Sequence, residues 1–334
     1  MISVVVNARG VLQTTLASRI CDFLAYAARW EGKSAISSMR YGDSPERVGI
    51  PAEYYFVSAP SREAMEEYVA KYEPGPFDVI VVLDDTLIKG SEPWGHVGVK
   101  PINEGLKRNG VLLVVTEREI DELIGFLPRR KYRYRMAAIP GKRSFSGFWV
   151  FKDDLTDARV LGGIAKTSPE ALSLEVLKAV MVERYPKAEK RIEAAEDAYR
   201  NIAIRVVKKN EGLEAPKYAP KFPDWDEIPE GLAIPSVPEG NRNPHYHKYT
   251  TRTERPVVDY DKCTKCTLCW LYCPDGAFDV TEEGYFDPNY FYCPGCSVCA
   301  EICPVKCIDM VDELEFKDNS SLYGEWRKSP RVEG

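Results

Sequence analysis

Ten cysteines occur in this chain of 334 residues, and nine of them fall between Cys263 and Cys307; only Cys21 lies elsewhere. Thiols packed this densely either cross-link or bind metal. The array is a duplication. Cys263 to Pro274 reads CTKCTLCWLYCP and Cys293 to Pro304 reads CPGCSVCAEICP, so one twelve-residue pattern, CxxCxxCxxxCP, recurs at an interval of thirty residues. Three cysteines with two residues between neighbours can wrap a loop around three corners of a four-iron, four-sulfur cubane, with backbone amides aimed at its sulfides. The fourth, expected at the start of the following helix, stands too far round to reach the same cube, and in two-cluster proteins it ligates the other one. The spacing assigns Cys263, Cys266, Cys269 and Cys303 to one [4Fe-4S] cluster and Cys293, Cys296, Cys299 and Cys273 to a second. Pro274 and Pro304 set the chain direction just past each crossing cysteine.

Zinc and disulfides compete with this reading. Zinc sites usually pair two CxxC units across a longer gap, whereas a third cysteine at the same short interval suits a cubane. Disulfides need an oxidising compartment, and the start MISVVVNARG has no secretory pattern. Cys307 and Cys21 are left over. Both read as small buried side chains, with Cys307 as a substitute ligand the alternative. Between Val257 and Phe316, twelve acidic side chains face three basic ones, a balance of −9 within a chain of net charge −6. Negative charge around a negative cluster opposes reduction, which points to potentials on the order of −400 mV or below; the acids also keep a small domain soluble. Trp270, Tyr272, Tyr285, Phe286, Tyr290, Phe291 and Tyr292 crowd the ligands and are expected to form a water-excluding shell.

The rest of the chain divides simply. Up to about residue 205, β-branched runs (Ile2 to Val6, Ala52 to Val57, Phe77 to Leu83, Gly110 to Val115) alternate with helical spacing. In Thr14 to Trp30 that spacing places Leu16, Ile20, Phe23, Leu24 and Ala27 on one stripe. A second helix is expected over Ser61 to Lys71. Two more, broken near Pro186, are expected over Ser168 to Arg205, with Ser168 as the cap. Alternation of this kind predicts a mostly parallel sheet covered by helices. Residues 206–256 hold the Pro-rich connector, whose eight prolines lie between Glu211 and Pro256 and whose Tyr218, Phe222 and Trp225 suggest that it lies on a surface. A cysteine domain over 257–316 and a tail over 317–334 complete the chain. No apolar run reaches the length of a membrane span, and the acidic balance does not suit a nucleic-acid binder. A cytoplasmic location is expected.

Beyond bare spacing, Arg255 to Val257, the run CWLYCPDGA at Cys269 to Ala277 and CPVK at Cys303 to Lys306 make residues 250–315 resemble the delta subunit of 2-oxoacid:ferredoxin oxidoreductases. The first two hundred residues resemble, more distantly, the gamma subunit of the same enzymes. That likeness is carried by Ile2 to Gly10, Leu16 to Ile20, YGDSPERVG at Tyr41 to Gly49 and LGGIAK at Leu161 to Lys166. The resemblance implies a gamma-delta fusion: an α/β gamma-type domain joined by the connector to a small α+β bacterial 2[4Fe-4S] ferredoxin-like domain. It also implies alpha and beta partner chains that hold thiamine diphosphate, Mg2+ and a further [4Fe-4S] cluster, an external ferredoxin as acceptor, and a dimer of heterotrimers.

One departure matters. Where the family's gamma domain opens with GxGGQG, this chain reads Asn7-Ala8-Arg9-Gly10-Val11-Leu12-Gln13, and the segment before Gly49 has one glycine where the family has a pair. Glycines there would let amides approach a phosphate at a helix start. Their loss also removes any nicotinamide-type fingerprint. Because the family associates the gamma domain with coenzyme A, the departure suggests a member working without it, as oxalate oxidation does. Coenzyme A-dependent oxidation of pyruvate or another 2-oxoacid stays open, as do a stand-alone ferredoxin-like carrier and a purely structural adaptor. Among other candidates, His96, His245 and His247 lack a third ligand nearby. Asp84 and Asp85 at a strand end are read as caps rather than an acid–base pair. Arg129, Arg130, Lys131, Arg133 and Arg135 are read as a solvated or subunit-facing edge.

Overall fold

The structure, a computed structural model, describes residues 1–40, 48–69, 74–91, 99–214, 242 and 247–328. The chain folds as two compact units, the first ending by residue 217. The first runs β1 (Ile2–Arg9), α1 (Thr14–Trp30), β2 (Ser34–Arg40), β3 (Pro51–Ala59), α2 (Arg62–Val69), β4 (Phe77–Val82), β5 (Leu106–Thr116), α3 (Ile120–Ile124), β6 (Tyr134–Pro140), α4 (Thr156–Thr167), α5 (Leu174–Arg184), α6 (Glu189–Asn201) and β7 (Ala203–Val207).

Its seven strands form one sheet in the order β2-β3-β1-β4-β5-β6-β7. The centre, β1-β4-β5-β6, is parallel as the alternation predicts. The other three pairings are antiparallel, which corrects the expectation of a mostly parallel sheet. For β2 and β3 the cause is connectivity: the link between them is shorter than the dozen or more residues a parallel crossover takes. The weakly apolar SAISSMR of β2 gives little strand signal, since six of its seven residues are partly or fully exposed on a sheet edge or face. The α1 stripe lands as read, with Leu16, Ile20, Phe23, Leu24 and Ala27 all buried in the core under β1, β4 and β5. Cys21 is buried there too, and burial pushes its thiol well above the ordinary value.

The helices past Thr156 correct two readings. Ser168 closes α4 instead of opening a helix; the N-cap is Ser173, whose hydroxyl accepts from the Val176 amide at 3.2 Å. The break near Pro186 does separate α5 from α6. LGGIAK belongs to α4, where Gly162 presses against the Ala195 carbonyl of α6 so closely that a β-carbon would stand 2.1 Å from that oxygen. The expected domain end at 205 falls inside β7, and the chain stays attached beyond it: Leu213 donates to the Leu127 carbonyl at 2.7 Å and accepts from the Arg129 amide at 2.8 Å.

The second unit comprises β8 (Glu254–Val258), α7 (Leu268–Leu271), β9 (Phe278–Val280), β10 (Phe286–Pro288), α8 (Val298–Ile302), β11 (Ile308–Asp312) and α9 (Leu322–Lys328). Its strands pair antiparallel, β11 on β8 and β10 on β9. The region expected to be a tail supplies α9, whose Tyr323 and Trp326 pack on Tyr260. Most of YGDSPERVG, the connector aromatics Tyr218, Phe222 and Trp225, and His96 and His245 lie outside the described residues. Among the described residues, no helix is long and apolar enough to cross a membrane.

Candidate metal centre

The duplication in the cysteine sequence is also a duplication of backbone. Lys265 and Thr267 in the first loop have φ of 56° and 69°; Gly295 and Ser297, thirty residues on, have 75° and 64°. Past the fourth cysteine, Gly276 at 55° matches Lys306 at 48°. Successive left-handed turns point amides to one side, forming a concavity suited to anionic sulfur. The strand ends match as well: Asp259 donates to the Cys307 carbonyl and Asn289 to the Ala277 carbonyl, both at 2.7 Å.

Each loop leads into a short helix, α7 or α8, carrying the third cysteine. The fourth, Cys273 or Cys303, lies just past the end of that helix rather than at the start of another, which corrects the expected placement. Cys303 and the extra thiol Cys307 line one cavity with Cys263, Cys266 and Cys269. Cys273 interacts electrostatically with Cys293, which also feels Cys296; Cys299 feels both Cys293 and Cys296. The two crossing sulfurs receive equivalent amides, from Ala277 to Cys273 at 3.2 Å and from Cys307 to Cys303 at 3.4 Å. Ala277 and Cys307 are therefore counterparts, and the extra thiol occupies a buried small-residue position. Its sulfur lies 3.5 Å from that of Cys303.

These thiols suit a thiolate-binding group. Burial pushes Cys269 and Cys293 up to about 11 and Cys299 up to about 12, so the metal-free pocket holds protons that binding must displace. Cys303 goes the other way. Burial raises it, but donors on Cys307 and the amides of Val305 and Lys306 outweigh that and draw it below the ordinary thiol value. Among the described residues, no three His, Cys, Asp or Glu side chains gather around a point suited to a single ion.

The aromatic shell is only partly as expected. Phe286 and Tyr290 are buried and Tyr285 packs on the core, whereas Trp270, Tyr272 and Phe291 are exposed. Sequence reading missed a buried ionic group altogether. Arg252 and Arg255 both bind the Glu313 carboxylate, with contacts of 2.6 to 2.9 Å, and all three are at most 2% exposed. Arg252 also donates to the carbonyls of Tyr290 and Cys293 at 2.7 and 2.8 Å. Its only sequence signal is an arginine pair three residues apart, because the partner is about sixty positions away.

The remaining candidates resolve into structural roles. Asp84 caps the turn at Asp85–Lys89, accepting from the Thr86 amide at 3.0 Å. Asp85 is held by Arg143 and Thr116, both at 2.9 Å; burial raises its carboxyl above the usual range despite Arg143. Arg129, Arg130 and Arg133 bind the Gly212 carbonyl, the Asn103 carbonyl and the Asn109 side chain. His247 packs among the rings of Tyr249, Phe291 and Tyr292. At the C-terminal ends of the parallel strands, where such sheets usually bind ligands, the chain's own side chains close the crevice. Arg9 donates to the Gly49 carbonyl at 3.0 Å and to Thr86 Oγ1 at 2.6 Å and lies 3.6 Å from Asp84. Gln13 reaches the Ser144 carbonyl at 2.8 Å.

A duplicated cysteine loop on a duplicated backbone has the chemistry of an iron–sulfur domain. Residues 256–310 match the family described as a 4Fe-4S dicluster domain. This part is similar to the pyruvate synthase subunit PorD of Methanocaldococcus jannaschii, 47% identical over 43 residues, which are 13% of this chain and 50% of that one. It is also similar to the ketoisovalerate oxidoreductase subunit VorD of Pyrococcus furiosus, 48% identical over 41 residues, 12% of this chain and 39% of that one. The chain thus spans about half or less of the length of these relatives. A pyruvate oxidoreductase subunit, PORC of Thermotoga maritima, aligns in structure over 61% of this chain and 97% of its own, with a TM-score of 0.43 and 19% identity.

Proposed function

We propose that this chain is the electron-transfer subunit of a thiamine-diphosphate-dependent 2-oxoacid:ferredoxin oxidoreductase, a gamma-delta fusion in one polypeptide. The carrying observation is the pocket that brings Cys303 to Cys263, Cys266 and Cys269 across forty residues of sequence. Those four hold one cluster, and Cys293, Cys296, Cys299 and Cys273 hold the second. When bound, each cluster supplies a one-electron couple. The residues around them do the rest: the amides of Ala277 and Cys307 donate to the crossing sulfurs, and the buried aromatic rings exclude water. The thiamine site, its Mg2+ and a further cluster belong to alpha and beta partners in a dimer of heterotrimers. The acceptor is a ferredoxin, and the reducing cytoplasm keeps the ten thiols available.

The substrate proposed is oxalate, oxidised to carbon dioxide without coenzyme A. Its support lies in the turn after β1. The amides there are used internally, Gly10 donating to the Ile50 carbonyl at 2.6 Å, Leu12 to Gly10 at 2.8 Å and Gln13 to Arg9 at 2.9 Å. Arg9 fills the crevice beneath. A phosphate approaching that turn would not find the amides of Gly10, Leu12 and Gln13 free to receive it. The purified complex, supplied with oxalate or pyruvate with and without coenzyme A, tests the reading. Oxalate-dependent ferredoxin reduction without coenzyme A is expected; strictly coenzyme A-dependent pyruvate oxidation overturns the oxalate assignment. Iron analysis should give about eight atoms per chain, and about four would overturn the two-cluster reading.

A further inference from the structure

The two halves of the cysteine domain share a backbone but not a charge pattern, and we infer that their clusters are unequal electron sites: the one held by Cys293, Cys296, Cys299 and Cys273 is the more easily reduced. The inference rests on the ligand assignment above. Cluster potential responds to nearby charge and to hydrogen bonds on the ligand loops, and the duplication makes each half a control for the other.

Behind the second loop lie Arg252 and Arg255, two buried guanidiniums sharing one carboxylate, Glu313. Arg252 touches the ligand loop itself, through the Cys293 carbonyl at 2.8 Å. Gly295 admits it: a β-carbon there would stand 2.7 Å from the Arg252 stem and 2.3 Å from the Glu254 carbonyl. Arg255 lies over the ring of Tyr290, 4.5 Å from its centre, and that phenol donates to the Pro256 carbonyl at 2.8 Å.

The first half is built with the opposite sign. Thirty residues on, the counterparts of Arg252 and Arg255 are Glu282, which is exposed, and Tyr285. Tyr260, the counterpart of Tyr290, donates at 2.7 Å to a buried carboxylate, Asp287, which also accepts from Ser321 at 2.6 Å. The counterpart of Asp287 on the other side is Val257. So a buried cationic excess backs one ligand loop, while a buried anion stands beside the tyrosine that leads into the other. Both differences favour placing an added electron on the second cluster, because charge in a low-dielectric interior is weakly screened.

Reductive titration of the cluster-loaded full chain, followed by electron paramagnetic resonance, tests this. Samples are first confirmed to hold about eight irons per chain; a lower count faults the ligand assignment, not the inequality. Among chains carrying one electron, those with it on the favoured cluster should outnumber the others by at least about tenfold, ~59 mV for a one-electron couple. The spin–spin splitting of doubly reduced chains should be weaker than in a statistical mixture. Asp287→Asn and the surface change Glu282→Lys should each raise only the lower-potential step, and Arg255→Gln should depress only the upper one. Arg255→Lys, which keeps the charge, should leave both steps in place. A statistical mixture at half reduction, or an upper step that moves in Asp287→Asn or Glu282→Lys, overturns the inference. Glu282→Lys, on an exposed position, supplies the site assignment if the buried variants fail to load.

Discussion

Cys307 shows how much a single residue can mislead or inform. In sequence it is a ninth thiol one turn past a ligand; in the structure it is the counterpart of Ala277, and both give their amide to a crossing cysteine. That equivalence predicts that its backbone matters more than its thiol, although the thiol lines the same cavity. Cys307→Ala should retain about eight irons per chain, whereas Cys303→Ala should leave about four or fewer, as iron and sulfide analysis will record. Gly295 behaves differently. With φ of 75° and the Glu254 carbonyl and Arg252 stem pressed against it, Gly295→Ala should fail to hold the second cluster even though no ligand changes. The cysteine pattern is legible because spacing alone expresses its chemistry. Arg252, Arg255 and Glu313 were not, since an ion pair formed across sixty residues leaves no local pattern. Glu313→Gln would leave two buried guanidiniums facing a neutral amide, at a cost of ~3–5 kcal/mol, seen as a lowered melting temperature of the loaded chain.

Among the elements, strongly periodic segments could be read and edge segments could not. The α1 stripe and the buried strands β1, β4 and β5 follow from side chains that satisfy one environment along their length. The strands β2 and β7 carry exposed residues on a sheet margin, where neither propensity nor burial writes a clear period. Ser168 and Ser173 illustrate the same limit at a helix end: both have the chemistry of a cap, and only the observed bond from Val176 separates them. The packing of α4 on α6 depends on Gly162. Gly162→Ala must force the helices apart or strain them, so a loss on the order of 1–3 kcal/mol is expected by thermal unfolding. That glycine was visible in LGGIAK, but its reason, a carbonyl from a helix some thirty residues on, was not.

At the scale of the whole molecule, each unit has its own core: an extensive aliphatic one under the large sheet and a small one made largely of aromatic rings and cysteines. The second is too small to hold its fold unaided, so bound metal must contribute. Removing iron with a chelator under oxidation should abolish the structure of residues 254–328 while the seven-stranded unit keeps its cooperative melting transition; calorimetry resolves the two. A single transition lost on chelation would mean that the units fold as one.

The pocket joining Cys263 to Cys303 also sets an order of manufacture. A chain is synthesised from its N-terminus, and domains fold as they emerge. The seven-stranded unit is complete before the first cysteine of the array appears, yet under the proposed ligand assignment neither site can close until its last contributor is made, residue 299 for one and residue 303 for the other. Iron can be captured by partial loops earlier, but it can be locked in only once these last residues have been made. The cell must therefore keep a finished body waiting with open thiols, a brief interval in which oxygen, not unfolding, is the hazard.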